Sequence, residues 1–173
     1  MPNAMTKLTR DKFIPFIDTA KDKTFVASTW KRIDYSTIFE LSAGEQTEDR
    51  DYICYPNAVT DVTSNKPELP QEIALYEGNP VYDFMIKELY DLPIGSDCSV
   101  PVLLCFGGTD KRAWRALATV TSKTLNTADG KITFTLSFGG EIEKGTYTIT
   151  EGVPAFTPAS NSNSNSNLGN NGN

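Results

Sequence analysis

Residues Lys131–Thr150 read KITFTLSFGGEIEKGTYTIT. Ile132, Phe134, Leu136 and Phe138 alternate with Thr133, Thr135 and Ser137, the two-residue period of a strand with one buried face. Gly139-Gly140 interrupts the pattern, and alternation resumes towards Tyr147–Ile149. The stretch is expected to form two strands joined by a turn at the glycines. Its apolar side belongs in a core. Its hydroxyl side faces bulk water, a partner or an enclosed space.

Working outward, NTADGK (Asn126–Lys131) carries the Asp-Gly signal of a tight hairpin. The preceding Arg112–Leu125 alternates Ala116, Ala118 and Val120 with Arg115, Leu117, Thr119, Thr121 and Lys123, and its Thr and Val content favours a strand. SVPVLLCFGG (Ser99–Gly108) reads as a buried strand. PVYDFMIKELYDLP places Val81, Phe84, Met85, Leu89 and Leu92 at helical spacing, with Pro80 at the start and Pro93 beyond the end. An amphipathic helix over about 81–92 should therefore lie on a sheet through Val81, Phe84, Met85 and Leu89. QEIALYEGNP (Gln71–Pro80) suggests a short strand and a turn, and STIFELS (Ser36–Ser42) another strand, with Thr37, Phe39 and Leu41 on one face. The fold class expected is mostly β with one helix: an antiparallel β-sandwich or barrel, a flanking α-helix and a long acidic loop.

Three segments frame that domain. Residues 1–29 are expected to be an N-terminal arm with little structure of its own, 30–158 the β domain, and 159–173 a disordered tail. The tail is the uncharged NSNSNSNLGNNGN run, without apolar anchors. Residues 43–70 form a long polar loop in which only Tyr52–Cys54 and Val59–Thr63 look extended.

Composition limits the chemistry. The chain has 173 residues, enough for one domain, and a net charge of −6, unsuited to wrapping nucleic acid. It contains no histidine, which removes Ser-His-Asp and Cys-His nucleophile systems and His-ligated zinc. Its three cysteines, Cys54, Cys98 and Cys105, have neither CxxC spacing nor an even count. Glu141 with Glu143, and the Glu48–Asp51 run, lack the spaced ligands and turn glycine of a calcium loop. Gly107-Gly108 has no P-loop signature around it. No catalytic, metal or cofactor-binding residue is assigned, and the expectation is a non-enzyme. The N-terminus shows no apolar signal core and no run approaches a membrane span, so synthesis in the cytoplasm without membrane association is expected.

Charge is segregated along the chain. From Lys7 to Arg32, seven bases face three acids, a net of +4. From Glu40 to Glu72, eight acids face two bases, a net of −6. Complementary patches at opposite ends of one molecule allow copies to stack head to tail. An acidic loop that serves solubility, or that pairs with the arm inside one subunit, explains the same charges.

STIFELS before the long loop, PELPQEIALYEGNPVYDFM at its end and FTLSFGGEIEKGTYTI near the C-terminus together resemble the major tail tube proteins of long non-contractile-tailed, siphovirus-type bacteriophages and prophages. The resemblance covers roughly residues 30–157. It implies hexameric rings whose inner sheets join into a β-barrel around a lumen, and head-to-tail stacking of those rings through the long loop. It implies a virion tail made in the bacterial host cytoplasm, with tape measure and tail terminator proteins as further partners and DNA as passing cargo at ejection. Glu45, Glu48, Asp49, Arg50, Asp51 and Tyr52 fall where the stacking loop would lie. Glu40, Thr133, Thr135 and Ser137 suit the wall of a lumen that must not hold phosphate tightly. Three other readings compete: a secretion-system-type tube or ring protein on the same fold, a β-sandwich carbohydrate-binding module and a carboxylate hydrolase.

Overall fold

The computed structural model describes residues 5–159. In chain order its elements are β1 (Ile14–Asp18), β2 (Trp30–Arg32), β3 (Glu45–Arg50), β4 (Val59–Asn65), β5 (Glu68–Ala74), α1 (Pro80–Asp91), β6 (Ser99–Cys105), β7 (Arg112–Asn126), β8 (Lys131–Thr150) and β9 (Val153–Pro158). The expected Asn/Ser tail, apart from Ala159, lies outside the described residues, as do residues 1–4.

The glycine pair is not a turn. β8 is one strand of 20 residues that runs through Gly139-Gly140 and stays paired with the 15-residue β7 on both sides of them. Ala116 faces Ile142 and Ala118 faces Phe138, so Gly139, Gly140 and Glu141 stand opposite Leu117 alone. Gly140 takes φ +74°, which absorbs the extra residues as a bulge. A long straight partner keeps β8 going where local sequence suggested reversal. The reversal comes later, at Glu151-Gly152, both at positive φ as a two-residue type I′ hairpin demands.

All sheet neighbours are antiparallel, in the order β2-β1-β6-β7-β8-β5, with β9 on the far half of β8. Residues 33–42 nearly close this sheet into a barrel. Ile33 N–H donates to Pro15 O at 2.9 Å, Thr37 N–H to Glu72 O at 3.0 Å, and Ser42 and Glu68 exchange two bonds of 3.0 Å. The strand expected over Ser36–Ser42 is therefore a strap held by two isolated bridges, Ser36 to Ile73 and Ser42 to Glu68. Five strap residues lie between those bridges against four on β5, so no continuous ladder can form. Phe39 and Leu41 still pack on the core, as their spacing required.

The main core lies on one face of the sheet. It takes Val100, Val102 and Leu104 from β6, Ala116, Ala118 and Val120 from β7, and Ile132, Phe134, Leu136 and Phe138 from β8. α1 adds Val81, Phe84 and Met85. Asn79 caps the helix, its side chain accepting from Val81 N–H at 3.0 Å and Tyr82 N–H at 3.3 Å, with Pro80 in the first turn. Leu89 is half-buried and Leu92, in the left-handed region at the C-cap, is exposed. The buried position of that turn belongs instead to Glu88, whose carboxylate pairs with Lys21 at 2.6 Å.

Within residues 5–29 the chain is not an arm without structure. β1 pairs with β6 inside the sheet, and Phe16 and Ile17 are fully buried. Asp18, also buried, accepts backbone N–H bonds from Ala20, Asp22 and Thr29 at 2.7–3.0 Å and so shapes the following loop. Lys-rich sequence on either side hides this apolar IPFI core segment from a charge-based reading.

Candidate assembly surfaces

Two features of this fold point outward. The first is the acidic segment after the strap. It is not an irregular loop: β3 and β4 pair with each other and, among the described residues, with no other strand, forming a two-stranded ribbon. Each of Glu45, Glu48, Asp49, Arg50, Asp51 and Tyr52 lies on this ribbon or its tip and is exposed. Arg50 bonds Glu48 at 3.1 Å and stands 3.8 Å from Asp61. Tyr52, Glu48 and Asp61 together push the Arg50 guanidinium pKa up, fixing its charge. The ribbon between Glu45 and Asn65 nevertheless has five carboxylates to one guanidinium.

Sequence reasoning missed the apolar side of this ribbon. Ile53 is completely exposed at 108%, between Tyr52 and Tyr55, whose rings meet edge-on at 6.2 Å. Val59 and Val62 are exposed as well. The signal was the apolar YICY island inside a charged run. An isolated two-stranded ribbon is marginal in water, and this one offers its apolar residues to solvent. Its base is well set: Gly44 takes φ +57°, and a Cβ there would stand 2.1 Å from Lys66 O.

The second feature is the sheet face opposite the main core. Thr133, Thr135 and Ser137 share it, as their alternation required. Register sets Ser137 between Glu68 and Thr119, Thr135 between Pro70 and Thr121, and Thr133 between Glu72 and Thr124. The result is a half-buried field of hydroxyls edged by carboxylates. Ser137 donates to Glu68 at 3.2 Å. Lys131, at 2.5 Å, and then Thr37, at 2.6 Å, hold the Glu72 carboxyl below its ordinary pKa. Glu40 is not beside these hydroxyls. It is exposed on the strap, beyond β5, and borders a depression with Arg10, Phe13 and Phe39.

That face is polar only over part of its length. Towards the far end, Phe16, Leu103, Cys105 and Ala113 form a second small core with Trp30, Tyr147 and Phe156. Arg115, a basic residue on β7, is neutralised there. Its Nε and Nη2 donate to Glu143 at 2.9 and 2.6 Å, and its guanidinium lies 4.9 Å from the Phe25 ring and 4.6 Å from Phe156. It borders a cleft of about 820 Å³ lined by Leu117, the glycine bulge and Pro158. Lys123 falls in the β7 irregularity between Thr121 and Thr124.

No protein-family model matches the chain, and no curated protein matches it in sequence. Solved structures do match. A chain in the tail of an empty gene transfer agent (GTA) particle, obtained by helical refinement with C6 symmetry, superimposes with a TM-score of 0.57 at 8% identity, over 79% of this chain and 97% of that one. A chain in the virion of the native gene transfer agent particle gives 0.54 at 9% identity, over 80% and 98%. The fold is thus one used by subunits of gene transfer agent particles, and this chain spans nearly the whole of theirs. Mostly antiparallel β structure, nearly closed into a barrel with one helix among the described residues, is as the sequence led us to expect.

Proposed function

We propose that the protein is a structural subunit of a phage-type tail tube, and not an enzyme. Copies form sixfold rings, rings stack head to tail, and the tube conducts DNA at ejection. The observation that carries this reading is the exposed β3–β4 ribbon, apolar at its tip, on a fold shared with a chain from a C6-symmetric particle tail. A ribbon that pairs with no further strand among the described residues is suited to bridging copies.

The hydroxyl face supports the same reading. A wall of Thr and Ser edged by Glu68 and Glu72 offers phosphate hydrogen-bonding groups but little net attraction, which suits passage rather than retention. Joining nearly closed sheets edge to edge would also bury the strand edges left at β2 and β9. Tape measure and terminator proteins would be the other tail partners.

Negative-stain electron microscopy of the purified full chain tests this directly. Rings or tubes of uniform width are expected. A monodisperse monomer at high concentration across a range of salt overturns the reading. Deleting Glu45–Asn65 should leave a folded domain that no longer polymerises, and tubes of unchanged length from that variant would remove the ribbon from the stacking contact.

A further inference from the structure

The ribbon tip is exposed, and a groove bordered by arginines lies elsewhere on the same chain. A recess of about 290 Å³ lies between the residues that precede β1 and the strap. It continues into a shallower depression of about 640 Å³ through Arg10, Phe13, Ile38 and Phe39. The recess is mixed, with Arg10, Asp11, Arg32, Ser36 and Gln71 beside apolar residues, and the shallower depression is the more apolar part: there the Phe13 and Phe39 rings stand 5.7 Å apart, beside Ile38. Two arginines stand at the rim. Arg10 is exposed, donates to the Ser36 carbonyl at 3.1 Å and has no carboxylate partner among the described residues. Arg32 pairs with Asp34 at 2.9 Å, with both side chains about half exposed. The acids nearby are Asp34, which holds Arg32, Glu40 on the depression's border and Asp11, which is already paired with Lys12 at 3.1 Å.

The tip has the opposite pattern. One aliphatic side chain, Ile53, projects between two tyrosines, and Asp49 and Asp51 flank it. An apolar knob with acidic flanks matches a groove that sets the Phe13 and Phe39 rings beside Arg10, an arginine with no carboxylate partner among the described residues. The tip residues Tyr52, Ile53 and Tyr55 are exposed, so no described residue of the same chain covers the knob. Two unlike, complementary patches on one molecule make a heterologous contact, which propagates instead of closing as a dimer. The ribbon's net negative charge and the net +4 of Lys7–Arg32 would draw the two together from a distance.

Resting on the tube reading, we propose that the Ile53 tip of one copy seats in the Arg10–Phe13–Phe39 groove of a second copy. The apolar contact excludes water from the pair, and the arginines donate to the carboxylates around it. Sequence charge alone suggested two attracting ends. The structure assigns a particular knob and a particular recess.

Cys54 supplies the test, because it is exposed at the tip beside Ile53 whereas Cys105 is buried. In assembled E40C protein, mild oxidation should join Cys54 of one copy to the introduced thiol of the next. A non-reducing gel should show a ladder of covalent oligomers, absent from wild type and from E40C/C54S. Independently, R10E/R32E should abolish sedimenting assemblies at concentrations where wild type forms them, with the thermal midpoint of the unassembled chain unchanged. Adding D49K/D51K to that same chain should restore assembly, because attraction is restored with reversed sign. Tubes of E40C that yield no ladder, or R10E/R32E assembling as wild type does, overturn the groove assignment and leave the tube reading standing. Wild type that remains monomeric overturns both.

Discussion

Gly139 and Gly140 are adjacent and exposed, and an added Cβ meets nothing within 4 Å at either one, yet the fold sets them apart. Gly140 sits at φ +74° and Gly139 outside the left-handed region. Alanine at a left-handed position costs roughly 1–2 kcal/mol. Against that stands about 0.4–1 kcal/mol gained by restricting the unfolded chain. Gly140→Ala should therefore destabilise by about 1 kcal/mol net, while Gly139→Ala keeps only the favourable part and should stabilise by about 0.4–1 kcal/mol. The two variants should differ by roughly 1–2 kcal/mol, or several degrees in thermal midpoint for a domain of this size. The assay is thermal unfolding of the unassembled chain, followed by far-ultraviolet circular dichroism, with both variants in one buffer. Opposite signs are the signature of a bulge that places one glycine, and not both, in the left-handed region. Equal shifts of either sign would refute the register drawn through this point of β8, and with it the alignment of Arg115 with Glu143 beyond the bulge.

Further tests address the faces and the titrating groups. Phe134→Ala should cost about 3–5 kcal/mol in chemical denaturation, because the ring is buried in the main core. Its neighbour Thr135→Lys should stay within about 0.5 kcal/mol of wild type and, if that face lines the lumen, slow DNA passage in an ejection assay. Hydrogen bonds from Lys131 and Thr37 depress the folded Glu72 pKa, so this carboxylate's stabilisation is present above the ordinary carboxylate range and disappears as pH falls through the folded value. The stability gap between wild type and Glu72→Gln should accordingly close on acidification, and a gap that widens would contradict the sign. Thiol labelling of the unassembled native chain should modify Cys54 quickly and leave Cys105 silent until unfolding, since burial pushes the Cys105 thiol up to about 12. Equal labelling rates would place Cys105 outside the core.

Much of the scaffold was legible because its causes are local. The alternation of Ile132–Phe138 named the buried and polar faces of β8, the Asp129-Gly130 pair marked the β7–β8 hairpin, and Pro80 opened the helix. Each of these depends on residues within a few positions of one another, where side-chain period and backbone preference act directly. The charge count and the resemblance located the segment now seen as the β3–β4 ribbon, and Val59–Thr63, expected to be extended, lies in β4, but β3 and the apolar tip were not foreseen.

Tertiary structure decided the rest. Gly-Gly serves a reversal or a bulge equally well, and the choice fell to β7, which is long enough to hold β8 straight on both sides of it. The strap over residues 33–42 has strand-like sequence but one residue too many for the register that β5 offers. Phe16 and Ile17 are core residues only because β6 accepts β1 as a neighbour far away in sequence. Glu88 could be buried on the apolar side of α1 because the loop shaped by Asp18 brings Lys21 to it. The groove beside Arg10 exists only where the strap passes the residues before β1. Sequence by itself determined which faces are apolar and where the charge lies. Which strand meets which, and so which charged surfaces face outward together, was set by long-range pairing that no local period encodes.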